Sequence, residues 1–199
     1  VNTDTAYVAR ELSAIGIDLF YSCIVGDNRS RLKEALTDAF QHSDIIITTG
    51  GLGPTGDDLT KETIAAAAGK ELVMHKESME RIKRYFEGRS LGETQKKQAY
   101  LPKGCTVFPN DVGTAPGCGF RTDSGKTVIM LPGPPQELVS MLKNYAVPYL
   151  SRLCSTAIVS RMVHVFGLGE GYVAEKRTDI TECENPTAAT YAKNGEMFI

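Results

Sequence analysis

The apolar run Asp44-Ile45-Ile46-Ile47-Thr48-Thr49 passes directly into Gly50-Gly51-Leu52-Gly53-Pro54-Thr55-Gly56-Asp57-Asp58-Leu59-Thr60, and an alanine-rich stretch follows. A buried strand, a glycine turn and a helix start in that order belong to an α/β fold. Glycines have no Cβ, so backbone N–H groups in such a turn can crowd a bound oxyanion. The first N–H groups of the helix, with the positive end of its dipole, favour negative charge there. Two carboxylates, Asp57 and Asp58, would repel a bare phosphate, which points to a bridging divalent cation or to proton transfer. The plainer alternative keeps the glycines for the turn and gives Asp58 or Thr60 the helix cap.

The 199 residues, 42% of them hydrophobic, suffice for one good core and a second small unit. A net charge of −2 without a long basic run gives no dedicated nucleic-acid or membrane surface. Cys23, Cys105, Cys118, Cys154 and Cys183 are odd in number and lack C-x-x-C spacing, so reduced thiols in a cytoplasmic protein are expected. Neither a secretory signal nor a bilayer-length apolar stretch is present. Val1-Asn2-Thr3-Asp4 opens without methionine and Gly195-Glu196-Met197-Phe198-Ile199 stops in a strand-like segment, so a longer parent protein is expected.

Asn2 or Thr3 can cap a first helix carrying Val8, Leu12 and Ile15 and ending at Gly16. Alternation over Ile17, Leu19, Tyr21, Cys23 and Val25 predicts a strand. Leu32, Leu36, Ala39 and Phe40 predict a second helix leading into Ile45–Ile47. A helix is expected to Gly69, another before Gly88, and a loop or short helix over 89–104. A hairpin is expected from Gly119–Thr122 through Asp123–Lys126 to Thr127–Leu131, then a helix behind Pro132–Pro135. The texture changes near residue 150, where the long alternating segment Ile158–Phe166 begins, and a domain boundary is placed there.

Ligands of open α/β sheets sit beyond the carboxyl ends of the strands. Four turns qualify: Gly26–Asn28, Gly50–Asp58, Asn110–Gly117 and Pro132–Pro135. Turns use the same residues everywhere, so it is their coincidence on one edge that matters. Asp27 can position a water or a ribose hydroxyl, or simply cap a helix, and Lys61 and Lys97 are candidate phosphate partners. Gly167-Leu168-Gly169-Glu170-Gly171 departs from the dinucleotide fingerprint and reads as a turn. His42, His75 and His164 have no metal-ligand spacing.

Thr48–Thr55 with Asp57–Thr63, Lys97-Gln98-Ala99, Asn110, Val112–Gly117 and Leu131–Pro135 resemble the CinA (competence/damage-inducible) family over the whole chain. The resemblance implies a three-layer α/β domain with a mostly parallel sheet over residues 1–153, similar to the molybdopterin-binding fold of MogA, MoaB and gephyrin. A small, incomplete α+β KH-like domain over 154–199 is implied next. That family begins with a strand and a Gly-Thr-Glu turn before the position of Asn2, and has a C-terminal amidase-like domain whose nicotinamide mononucleotide deamidation is not credited to these residues.

The activity implied is that of a cytoplasmic, metal-dependent nucleotide pyrophosphatase cleaving ADP-ribose to AMP and ribose 5-phosphate, with FAD cleavage in eukaryotic relatives. The alternative is a module that binds molybdopterin or a nucleotide, or adenylylates molybdopterin, without pyrophosphatase activity. Asp58, Asp27 and Lys97 are the catalytic candidates and Asp58 with Asp57 the metal candidates, for magnesium or cobalt, with potassium as a further cation. The substrate-binding candidates are Asn2, Thr49, Gly50, Gly51, Leu52, Gly53, Thr55, Gly113, Thr114, Ala115, Pro132, Gly133 and Pro134. The partners implied are a nucleotide substrate and further copies of the chain, as dimer or trimer, with no membrane; a third alternative, an interaction platform whose KH-like part meets nucleic acid, is disfavoured by the near-neutral charge.

Overall fold

The computed structural model describes residues 2–153, 161–193 and 196–199, and the chain divides into two units, Val1–Ala157 and Ile158–Ile199. In the first, α1 (Thr3–Ser13) starts where the Asn2 side chain accepts from the Thr5 amide, and α2 (Arg29–His42) starts where Asn28 does the same for Arg31. The elements β1 (Ile45–Thr49), α3 (Thr60–Ala67), β2 (Leu72–Met74), α4 (Lys76–Tyr85) and α5 (Glu93–Lys97) follow. Then come β3 (Tyr100–Pro102), β4 (Thr106–Phe108), β5 (Gly117–Arg121), β6 (Thr127–Leu131), α6 (Pro135–Met141), a π turn (Leu142–Ala146) and α7 (Val147–Ser151).

The main sheet has the order β1-β6-β5-β4. Alternation along β6 explains the three layers: Ile129 and Leu131 point into a core with Val8 and Leu12 of α1 and Leu138 of α6, while Val128 and Met130 meet Leu36 of α2 and Ile64 of α3. Ile46 of β1 joins the second core and its neighbours Ile45 and Ile47 pack on the first. The apolar run that predicted a buried strand is thus covered on both sides.

Three details differ from expectation. The sheet is mixed rather than mostly parallel, because β1 and β6 alone run parallel while β5 opposes both β6 and β4. The segment 17–25 alternates like a strand but pairs with nothing among the described residues, and Phe20, Tyr21 and Ile24 are 81, 74 and 83% exposed. Alternation gives a face; a strand also needs a neighbour to take its N–H and C=O groups. In the stretch read as loop or short helix, α5 forms and β3 pairs antiparallel with β2 in a second small sheet, with Pro102 at the strand end opposite Leu72.

The second unit holds β7 (His164–Val165), α8 (Glu170–Lys176), α9 (Thr178–Thr181), β8 (Tyr191–Lys193) and β9 (Glu196–Phe198), with an antiparallel sheet in the order β7-β9-β8. Met197 and Val173 are its buried apolar residues beside Phe198. Ile158–Ser160 of the expected long strand, with Cys154, lie outside the described residues. Gly167, at φ +72°, makes the expected turn before α8. Among the described residues no helix is long and apolar enough to cross a membrane.

Candidate functional site

Pairing in the main sheet brings three of the four expected turns to one edge. β1 and β6 are parallel neighbours, so Gly50–Leu59 and Pro132–Pro134 leave the sheet side by side. The Gly50 amide donates to Leu131 O at 3.0 Å, and a Cβ on Gly133 would stand 3.2 Å from the Gly50 Cα. Because β4 and β5 form a hairpin with Phe108 opposite Gly117, residues 109–116 cross the same edge. α2 runs into β1 and packs against α3, so its N-terminal turn with Asp27 lies toward that end as well. Asp27 itself is exposed and makes no hydrogen bond or ion pair among the described residues.

The Gly50–Thr60 turn is the most constructed part of this edge. Gly50 and Gly51 have φ of +86° and +68°, and a Cβ on Gly51 would collide with the Thr60 side chain, so glycine is required there by two independent constraints. The amides of Gly51, Leu52 and Gly53 donate to no protein acceptor among the described residues. α3 has Leu59 at its N-cap and no side-chain cap, which leaves its first amides open too. Leu52 turns its side chain into the core at 4% exposure and offers the edge only its backbone.

Asp58 closes this turn. Its Oδ2 accepts from the Thr55 amide at 2.8 Å and from the Thr55 hydroxyl at 2.5 Å, while Oδ1 receives no hydrogen bond from the described residues. Neither Asp58 nor Thr60 caps α3, so the helix-capping alternative does not describe the turn. Asp57 is exposed, and hydrogen bonding within the turn holds its carboxyl below the usual value. Lys97 Nζ donates to Asp58 O at 3.0 Å and pairs with Glu62 Oε1 at 3.3 Å, so Asp58 and Lys97 are brought together.

Lys61, expected at a phosphate, is instead 2% exposed and donates inward to Lys97 O at 2.7 Å and Gln98 O at 3.5 Å. Burial pushes its pKa down to about 8. It serves the carbonyl end of α5, where a cation is favoured.

Around Gly113 the arrangement centres on Asn110, which is 7% exposed. Its Oδ1 accepts from the amides of Val112 and Gly113 at 3.1 and 2.7 Å, and its Nδ2 donates to Ala115 O at 2.9 Å and Glu137 Oε2 at 2.6 Å. Asp111 receives Arg81 at 2.7 Å and the Tyr145 hydroxyl at 2.8 Å. Asn110 entered the sequence reading only as part of a motif, and Glu137 was missed, because an acid in the first turn of a helix is ordinary. Thr114 lines a cleft of about 590 Å³ between α4 and this loop. Asn2, Thr49 and Thr60 line a groove of about 620 Å³ beside β1 and the segment 17–25.

Among the described residues no group of three or more His, Cys, Asp or Glu side chains stands ready for a metal. The donor set at the turn, Asp57 and the free Oδ1 of Asp58, suits a cation of the magnesium kind, which takes one or two carboxylates and completes its shell with water and substrate phosphates.

The family described as "Probable molybdopterin binding domain" matches residues 1–152, and that described as "Damage-inducible protein CinA KH domain" matches residues 160–199. A "CinA-like protein" of Desulfovibrio desulfuricans is 51% identical over all of this chain and 47% of its own length. A "Putative competence-damage inducible protein" of Acetivibrio thermocellus is 48% identical over all of this chain and 48% of its own length. The chain thus spans about half the length of the curated relatives it matches. The crystal structure of the protein CinA of Thermoplasma acidophilum, described as having unknown function, is 34% identical with a TM-score of 0.68, over 76% of this chain and 88% of that one. A molybdenum cofactor biosynthesis protein B, 17% identical with a TM-score of 0.50 over 76% and 83%, shares the fold.

Proposed function

The chain belongs to the CinA family, and from that premise we propose that the Gly50–Thr60 turn binds the phosphate groups of a nucleotide-like ligand. The observation that carries this reading is the row of unaccepted amides at Gly51, Leu52 and Gly53 beside the uncapped start of α3. Donors fixed by backbone geometry need no reorganisation when an anion arrives. Pro132–Pro134 and the 110–116 loop form the adjoining walls.

The finer reading is hydrolysis of the pyrophosphate of ADP-ribose or a related nucleotide diphosphate to AMP and a sugar phosphate. Asp57 and Asp58 Oδ1 would hold a divalent cation, magnesium or cobalt, which supplies neutralisation of the diphosphate when bound, with potassium as a further cation. In this reading the amides orient one phosphate, Lys97 adds positive charge at the Asp58 end of the turn, and Asp27 orients water or ribose. A second reading, binding of molybdopterin or a nucleotide without turnover, is favoured by the occupation of Asp58 Oδ2 in closing the turn. Cytoplasmic location and a dimer or trimer of chains belong to the same proposal, and the net charge of −2 argues against a nucleic-acid partner.

Incubation with ADP-ribose, FAD and NAD, each with magnesium, cobalt or EDTA, separates the readings. Metal-dependent release of AMP supports the hydrolase, saturable binding by calorimetry without AMP supports the binding module, and absence of both removes the site.

A further inference from the structure

Cys105 and Cys118 face one core from adjoining strands. Cys118 lies on β5 opposite Val107 of β4, and Cys105 stands two residues ahead of Val107, on the same face of the ladder. Both pack into the cluster that holds Ile64, Leu101 and Met130. Cys118 is 0% exposed, whereas Cys105 is half-buried and lines the cleft of about 590 Å³ beside α4. The turn from β3 to β4 sets its place: the Cys105 amide donates to Pro102 O at 3.1 Å, and Gly104, at φ +79°, supplies the left-handed residue that a type II turn requires. Both residues are free thiols, while Cys23 sits in the segment 17–25 and Cys183 in the second unit.

A buried cysteine ordinarily serves as a small apolar residue. This pair is set apart by the cleft and by the contact between its sulfurs. The Cys118 thiol donates to the Cys105 sulfur, which holds the Cys105 pKa below its usual value, while the same contact and burial push Cys118 up. The sulfur that reaches the cleft is therefore the one favoured as thiolate, the reactive form, and the sealed partner keeps its proton. We propose that Cys105 and Cys118 are a redox-active dithiol that reduces a hydroperoxide admitted by the cleft and closes as a cross-strand disulfide. Cys105 attacks one oxygen of hydrogen peroxide, the O–O bond breaks, and the departing hydroxide takes up the proton that Cys105 released, leaving a sulfenic acid and water. The Cys118 sulfur then displaces hydroxide from the Cys105 sulfur, and the Cys118 proton completes the second water. Two thiols and one peroxide thereby give one disulfide and two waters. Diagonal neighbours start somewhat wider apart than bridged cysteines, and the exposed Lys103-Gly104 turn, where a Cβ on Gly104 would meet nothing, is the segment free to give. The bridge ties together the two ends of the hairpin that carries residues 109–116, so the wall of the cleft is stiffened on oxidation.

The test treats the native full chain with hydrogen peroxide, alkylates it in denaturant and maps its peptides without reductant. Trypsin cuts after Lys103 and Arg121, so both cysteines fall in one peptide. The expected result is that this peptide escapes alkylation and is lighter by two hydrogens, and that dithiothreitol restores both thiols. In Cys118→Ala, Cys105 should stop at the sulfenic acid and take up dimedone. In Cys105→Ala, Cys118 should remain a thiol, because it is sealed from the cleft. Peroxide that leaves both thiols intact, a bridge from either residue to Cys23, Cys154 or Cys183, or oxidation of Cys118 in the absence of Cys105 overturns the proposal. A further measurement needs no variant: phenylarsine oxide condenses with two neighbouring thiols and releases water, so it should shield Cys105 from iodoacetamide in the native chain. Alkylation of Cys105 at an unchanged rate would show that the two sulfurs do not stand together, and the dithiol would be lost with them.

Discussion

Asp58 and Thr55 close the glycine turn on each other: one carboxylate oxygen receives both the amide and the hydroxyl of Thr55, at 2.8 and 2.5 Å. The same carboxylate is therefore part of the scaffold that holds the anion-facing amides and, through its other oxygen, a candidate ligand for a cation. Two substitutions separate these duties. Asp58→Asn keeps a neutral acceptor for Thr55 and should leave stability within about 1 kcal/mol of wild type. If hydrolysis occurs, it should lower turnover of ADP-ribose far more than ligand affinity. Asp58→Ala should also weaken binding, because the turn loses its closure. Steady-state kinetics with calorimetry on both variants checks this, and near-wild-type turnover by the asparagine variant takes Asp58 out of the chemistry.

Gly51→Ala should fail on two grounds, a left-handed φ of +68° and overlap with the Thr60 side chain. Strain of this kind costs about 1–3 kcal/mol, and relief requires moving the start of α3. Pyrophosphate affinity should fall well below that of wild type, and urea unfolding should place the midpoint lower. Gly56→Ala has open space around its Cβ and serves as the control within the same turn.

How much of this was legible in the sequence depends on whether a feature is local. β1, β6 and the helices with Leu12, Leu36 and Ile82 at their buried faces follow from periodicity, and the glycine turn follows from composition, because each is written in consecutive residues. The segment 17–25 was misread because strand formation depends on a neighbour that alternation cannot report. β2 and β3 were missed since three-residue strands have too few alternations to register. Lys61 reads as a solvated cation or a phosphate ligand until α5 folds over it, and Asp58 as a cap until Thr55 is seen. Glu137 carries no signal at all without Gly113, which is 24 residues away in sequence.

Lys61 gives stability a pH dependence of definite sign. Burial lowers its pKa from 10.5 to about 8, assisted by Lys97 and opposed by Glu62, Asp58 and Cys118. Between those values the unfolded chain holds a proton the folded chain has released, so this residue makes stability rise with pH from about 8 to 10.5. Below about 8 the cost of burying the ammonium is fully present, on the order of 3 kcal/mol. Cys118 works the other way, since its thiol is pushed well above 9.0 by its contact with Cys105 and by burial, so the difference between wild type and Lys61→Met is the useful quantity. Urea unfolding at several pH values should show the wild type gaining on the methionine variant as pH rises through this window, and parallel curves would contradict the assignment.

Asn110 is the most heavily used buried polar side chain at the edge, with four hydrogen bonds at 7% exposure. Asn110→Ala strands the amides of Val112 and Gly113, the carbonyl of Ala115 and the Glu137 carboxylate at once, and loss of such a network costs about 2–4 kcal/mol. Asn110→Asp keeps the acceptor for the two amides but sets a second carboxylate against Glu137. Its stability should therefore approach wild type only as the pH falls far enough to protonate one of the pair. Thermal unfolding of the aspartate variant between pH 4 and 8 should show a midpoint that rises relative to wild type on acidification. A pH-independent difference would mean that Asn110 and Glu137 do not meet in solution.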